Sequence, residues 1–210
     1  LSKLEYRGYD SAGIAVFENG NITVEKSKGE LANLRKKIEE DHKPDGHCGI
    51  GHTRWATHGE PSDINSHPHQ ASKGDITVVH NGIIENYAEL TKFLKDKGYE
   101  FKSATDTEVI PNLIHYYYNG DLFKAVAKTI ERLEGSYALG VICGNEPDKI
   151  VAVRKDSPLI VGLGDNEKFI ASDIPAVLNC LPGRYPDFHN SAPSYSSPLW
   201  RTPCVPYPHN

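Results

Sequence analysis

Apolar positions along the chain recur with two periods, one of strands and one of helices. Gly13 to Phe17 and Asn21 to Val24 are β-prone runs on either side of Glu18-Asn19-Gly20. An Asn-Gly pair between two such runs predicts a hairpin, because both turn positions take positive φ. Leu31, Leu34 and Ile38 then follow a helical spacing and predict a helix over about 30–40. Cys48 to Thr53 and Asp75 to Val79 read as two further strands, the second bounded by Gly74 and a turn at Asn81-Gly82. Three helical patterns come next: Tyr87, Leu90 and Leu94, closed by Gly98; Val109, Leu113, Ile114 and Tyr117; and Leu122, Val126, Ile130 and Leu133. Asp121 is placed to cap the third and Gly135 to end it, while Pro111 leaves the first turn of the second unsettled. Four short strands follow at Ser136 to Cys143, Ile150 to Val153, Leu159 to Gly162 and Phe169 to Ala171. Leu1 to Tyr6 is too short to classify; the last turn of a truncated helix, ended by Gly8, is one option. Strands, then helices, then strands predict sheet layers covered by helices, an α+β arrangement rather than alternating βαβ units.

The pattern stops near Leu178. Half of the 14 Pro lie beyond it, with Trp200 and two of the four Cys, and neither period continues. The reading is one domain over 1–178 followed by a Pro-rich tail over 179–210, expected to be disordered. Charge and composition narrow the function classes. A net charge of -5 leaves no basic excess to neutralise phosphates, so nucleic acid is not an expected partner. No apolar run is of membrane-spanning length and the start lacks a signal-peptide core, so no membrane role is expected. Four Cys without a paired spacing suggest reduced thiols in a cytoplasmic setting. The chain contains no Met, which makes Leu1 an improbable translation start and suggests a fragment at its N-terminal side.

The densest chemistry is Gly51-His52-Thr53-Arg54-Trp55-Ala56-Thr57-His58-Gly59. Arg54 at a strand end needs an anion, either a bound carboxylate or phosphate or an internal partner such as Asp10 or Glu60. Asn81-Gly82 reads as a hairpin turn, or as a side-chain amide and a backbone amide aimed at one oxygen. Asp106 sits in Thr105-Asp106-Thr107-Glu108, a capping box at a helix start, or a carboxylate for a substrate ammonium. His47, His52, His58, His67, His69 and His80 cluster in sequence near Cys48, yet no His-Glu-x-x-His or paired Cys spacing accompanies them, and no metal site is expected. Cys48 and Cys143 fall in apolar runs and read as inert buried thiols.

Taken together, "LEYRGYDSAGIAV", "GHTRWATHGEPS", "VVHNGIIEN" and "TDTEV" resemble, in content, order and spacing, the class II glutamine amidotransferases. The likeness continues through "SPLIVGLG" and "FIASDIPAVL" to about Leu178, and the Trp55 to His58 and Tyr9-Asp10 choices favour the members that act on a sugar phosphate. The resemblance implies the N-terminal-nucleophile hydrolase fold, a four-layer αββα sandwich, here missing its first strand. It implies that Arg54 holds the α-carboxylate of glutamine and Asp106 its α-ammonium, with Thr57 and His58 lining the same pocket. Asn81 and Gly82 would stabilise the oxyanion, Trp55 would gate the pocket and Arg7 would brace the nucleophile's surroundings. No cofactor is implied. The implied partners are glutamine, fructose 6-phosphate through sugar-isomerase domains that this chain lacks, and a second copy in a homodimer.

In that family the nucleophile is an N-terminal Cys whose α-amine acts as the base, and the two groups can trade a proton near neutral pH. The chain contains no such residue, and Cys48-Gly49-Ile50, being internal, is no substitute. The chain by itself is therefore expected to be inactive. Two further readings stand beside the enzyme domain: a glutamine-sensing module without catalysis, and a His-based metal protein.

Overall fold

A computed structural model describes residues 1–55, 59–178 and 199–203. A 3-10 turn at Ser2–Arg7 leads through Gly8 into β1 (Ser11–Glu18), which pairs antiparallel with β2 (Asn21–Lys28). The two-residue connection has φ 49° at Asn19 and 84° at Gly20, as the Asn-Gly hairpin requires. After α1 (Leu31–Glu40), β3 (Cys48–Arg54) pairs with the other side of β1, giving a three-stranded sheet of order β2-β1-β3.

A second sheet holds β4 (His69–Gln70), β5 (Ile76–Ile84), β6 (Gly135–Cys143), β7 (Lys149–Lys155) and β10 (Leu199–Pro203), in the order β10-β7-β6-β5-β4. Between β5 and β6 the chain builds α2 (Tyr87–Asp96), α3 (Val109–Tyr117) and α4 (Leu122–Ile130). A small hairpin of β8 (Ile160–Leu163) and β9 (Lys168–Ala171) follows β7.

Two apolar layers join these parts. Ile76, Val78 and Ile84 of β5, with Leu139 and Val141 of β6, pack against Leu90, Leu94, Ile110, Leu113, Ile114, Leu122 and Val126 of the helices. On the other face of that sheet Ile142 and Ile150 meet Ala15, Cys48 and Ile50 of the three-stranded sheet. With α1 on the outer face of the smaller sheet, the layers run α, β, β, α, as the family resemblance implies.

Several local expectations change. β5 does not stop at a turn; it runs through Asn81 and Gly82, which pair with Ala138 and Tyr137 of β6. Gly82 has φ +127°, and a Cβ there would lie 2.1 Å from the Ser136 carbonyl oxygen, so the glycine serves a close strand approach rather than a reversal. α4 ends at Ile130 with Glu131 as its C-cap, and Gly135 instead opens β6. Pro111 falls in the first turn of α3, where its missing N–H has no intrahelical partner to lose. The expected capping box does not form. The N-cap is Glu108, whose carboxylate accepts from the Lys102 and Ser103 amides, so it staples the preceding loop. Within the tail, Leu199–Pro203 pairs with β7, although no strand period is visible there.

Leu113 is fully buried between α3 and the larger sheet. Replacing it with Ala should cost about 2–5 kcal/mol of stability, read as a lower urea midpoint with an unchanged slope.

Candidate functional site

The two sheets diverge where the inward residues turn from apolar to polar. Along β3 the residues on the inward face run Cys48, Ile50, His52, Arg54, and β5 offers Asn81 near its corresponding end. Small residues on the inward face of β6, Ala138 and Gly140, leave room between the layers. The result is a cavity of about 580 Å³, lined by Arg54, Trp55, Asn81, Gly82 and Asp106 among others.

Arg54 is buried at 4% exposure, and its Nη2 donates to the Gly59 carbonyl at 3.0 Å. Burial pulls its pKa down, while the charges of Asp10 and then Asp106 oppose that pull. The local sequence is shaped to allow this. A Cβ on Gly8 would fall 2.7 Å from the Arg54 carbonyl carbon, so only glycine lets the N-terminal segment cross this strand end. Gly59 has φ +76° and would strike the Asn65 side chain if it carried a Cβ. Asn65 in turn donates to the Glu60 carbonyl and accepts from the Ala104 amide, joining the loop after β3 to the loop before α3.

Asp106 lies in that second loop, before the helix rather than in its first turn. Its Oδ2 accepts from the Ile84 amide at 2.8 Å, which pins the carboxylate beneath the end of β5. Thr107 Oγ1 lies 3.5 Å from Asp106 Oδ1 and 2.9 Å from His80 Nδ1. Asn81 Oδ1 accepts from His52 Nε2 at 2.8 Å, which leaves the Asn81 Nδ2 hydrogens to serve elsewhere. Trp55 stands on the rim, 61% exposed, edge-on to Tyr9 at 5.5 Å. Arg7 lines the cavity and reaches Asp173 at 3.6 Å and the Ser172 carbonyl at 3.5 Å. Thr57 and His58 lie outside the described residues.

Arg54, Asp106, Asn81, Gly82, Arg7 and Trp55 therefore share one cavity. Sequence reasoning missed Asn65, the stapling role of Glu108 and the stacking of the clustered imidazoles beneath them. Period-two alternation in β3 puts His52 on the same face as Arg54, and that signal was present in the sequence. The joining of the two loops by Asn65 left no such trace.

Four of the clustered histidines do converge. His52 stacks on His67 with ring centroids 4.3 Å apart and planes at 25°, and His69 meets His67 edge-on at 4.9 Å. His67 Nδ1 accepts from the His80 amide at 3.4 Å, and Thr105 Oγ1 lies 3.2 Å from His69 Nε2. His47 stands at the opposite end of β3 and His58 is outside the described residues. Among the described residues no three His, Cys, Asp or Glu are arranged to hold a metal. Cys48 and Cys143 are buried, and burial pushes the Cys143 thiol pKa up.

Burial lowers the pKa of all four imidazoles, to about 4 for His52 and well below the ordinary value for His67 and His69. The folded state thus binds fewer protons than the unfolded chain below the ordinary histidine pKa. Stability should be level above about pH 7 and fall as pH drops through 6.5 towards 4, by up to about 1.4 kcal/mol per pH unit for each imidazole held neutral. Urea midpoints at pH 7.5 and pH 5 check this, and His69→Gln should flatten the decline.

A family model described as a glutamine amidotransferase domain matches residues 52–179. Over 179 residues the chain is 69% identical to a Clostridium perfringens protein named glutamine–fructose-6-phosphate aminotransferase (isomerizing), and 56% identical to the protein of that name from Aquifex aeolicus. Each alignment covers 85% of this chain but only 29% and 30% of the relative, so the chain spans under a third of their length. Among solved structures, the glutamine phosphoribosylpyrophosphate amidotransferase of B. subtilis complexed with ADP and GMP superposes with a TM-score of 0.70 at 24% identity, covering 84% of this chain and 38% of that one, which speaks for the fold. A structure described as the allosteric regulatory enzyme of purine biosynthesis gives 0.74 at 25% identity, over 83% of this chain and 38% of that one. Among the described residues no helix is long and apolar enough to cross a membrane. By the family match over most of its length, the chain belongs to the glutamine amidotransferase domain family.

Proposed function

We propose that the cavity binds free L-glutamine and that the chain is the glutamine-hydrolysing domain of an enzyme converting fructose 6-phosphate and glutamine to glucosamine 6-phosphate and glutamate. One observation carries the reading: a buried guanidinium and a buried carboxylate line the same cavity as Asn81 and Gly82. A zwitterionic amino acid offers a carboxylate and an ammonium at fixed separation, and opposite charges on rigid element ends suit it. Arg54 takes the α-carboxylate and Asp106 the α-ammonium. The Asn81 Nδ2 and the Gly82 amide then face the side-chain carbonyl.

Attack on that carbonyl generates an oxyanion, for which the two donors are suited; losing one such donor typically costs about 10²–10³ in rate. The attacking thiol is not one of the cavity's described lining residues, among which there is no cysteine. Hydrolysis and transfer to the sugar are read as activities of the whole protein. Thr57 and His58 complete the pocket, Trp55 on the rim covers bound glutamine, and Arg7 braces the wall. A cytoplasmic setting and a homodimer are part of the same reading, supported by the family likeness. A second reading, a module that binds glutamine without cleaving it, uses the same clamp of Arg54 and Asp106. Activity of the whole protein separates the two.

Calorimetric titration of the folded chain with L-glutamine tests the clamp. Arg54→Ala and Asp106→Asn should each weaken binding about 10- to 100-fold, the worth of a charge-assisted contact. Binding that ignores both substitutions, or no binding at concentrations on the order of 10 mM, rules out the assignment.

A further inference from the structure

We propose that His52 is a positioning residue that sets which end of the Asn81 side-chain amide faces the cavity. The proposal rests on the reading of Asn81 as an oxyanion donor and adds what makes that donor available. A carboxamide has nearly the same shape at both ends, but one end only accepts and the other only donates. At a cavity wall, shape alone does not choose between them. Turned one way Asn81 presents Nδ2 to a carbonyl oxygen and assists; turned the other way it presents Oδ1 and repels.

The choice is made behind the amide. His52 Nε2 lies 2.8 Å from Asn81 Oδ1. A ring nitrogen that carries hydrogen donates to Oδ1 and directs Nδ2 away from itself; the reversed amide would set two donors against each other. This requires the Nε2–H form of the neutral ring, and burial keeps His52 neutral, with a pKa of about 4.

The ring itself is held from two sides. β3 pairs His52 with Gly13 of β1. A Cβ at Gly13 would lie 2.2 Å from the His67 carbonyl oxygen, so the glycine lets the His67 backbone settle against the sheet. His67 then stacks on His52 at 4.3 Å, while its own Nδ1 is engaged by the His80 amide. His80 adjoins Asn81 in β5, so the stack ties the orienting ring to the strand that carries the amide. None of these four residues needs to touch the substrate for the arrangement to matter.

Two amino acids separate orientation from grip. L-Glutamine and L-norvaline share the α-groups and chain length, but only glutamine has a carbonyl for Asn81 to meet. In the unaltered chain glutamine should bind more tightly than norvaline. His52→Leu should lower that preference about five- to tenfold, the worth of one hydrogen bond lost and an acceptor turned inward. Its norvaline affinity should stay the same, and His52→Gln, which restores a donor, should recover most of the preference. A purely structural role would weaken both ligands together. An unchanged preference in His52→Leu overturns the positioning role alone. Failure of both ligands to bind the unaltered chain overturns the glutamine reading and this proposal with it. Nitrogen-15 NMR of the unaltered chain gives a second readout independent of any variant: His52 should show the Nε2–H tautomer, and the Nδ1–H tautomer would refute the proposal.

Discussion

Taking a guanidinium out of water at a strand end is the constraint around which this domain is arranged. Arg54 is nearly inaccessible, and an isolated charge in that position would cost several kcal/mol. The surrounding structure answers it with a carbonyl from Gly59 and the nearby charges of Asp10 and Asp106. Each answer makes a demand of its own. Gly59 must adopt positive φ, Asn65 must hold its loop, Gly8 must pass within contact of the strand, and Asp106 must be pinned by the Ile84 amide. The features that make the cavity chemically useful are therefore the same ones that make its buried charge tolerable.

The layered sandwich gives this arrangement its rigidity. Apolar faces close at one end, around Ala15, Cys48 and Ile142, and towards the other the small residues Ala138 and Gly140 of β6 leave space beside the polar side chains of β3. Polar side chains from two sheets and one loop can then face each other across space without being crowded. The neutral imidazoles extend the polarity of the site without extending its charge. The cavity thus sets the buried Arg54 against the buried Asp106, with Arg7 and Lys168 as its other described lining cations.

Much of this could be read in the sequence, and the exceptions have physical reasons. Periodicity located β1, β2, α1, the helices over β6 and the later strands because each buries a face with its own repeat. It stopped β5 short because Asn81-Gly82 has turn chemistry, whereas the structure uses the glycine for a close approach to Ser136 and the asparagine as an inward side chain. It placed Asp106 on a helix because Thr105 to Glu108 has the spacing of a capping box, yet Glu108 finds better donors in the amides of Lys102 and Ser103. Local rules cannot see a partner that arrives from elsewhere in the chain. The pairing of Leu199–Pro203 with β7 is of the same kind, since a short edge strand without alternation has no local signature. The histidines were visible as a group, but composition alone could not distinguish a ligand set from a stack.

The N-terminal turn lines one side of the cavity and is fastened there by side-chain contacts rather than by a strand ladder. Tyr6 reaches Asp173 at 2.6 Å and Arg7 reaches the same carboxylate, both at exposed positions, and no residue of the turn is buried. Exposed pairs of this sort are screened by solvent and hold a segment only weakly. These exposed contacts act together with two part-buried bonds, from the Leu31 amide to Glu5 and from the Thr53 hydroxyl to the Leu4 carbonyl. Asp173, far along the chain from Arg54, Asn81 and Asp106, therefore helps hold one wall of the chamber in place.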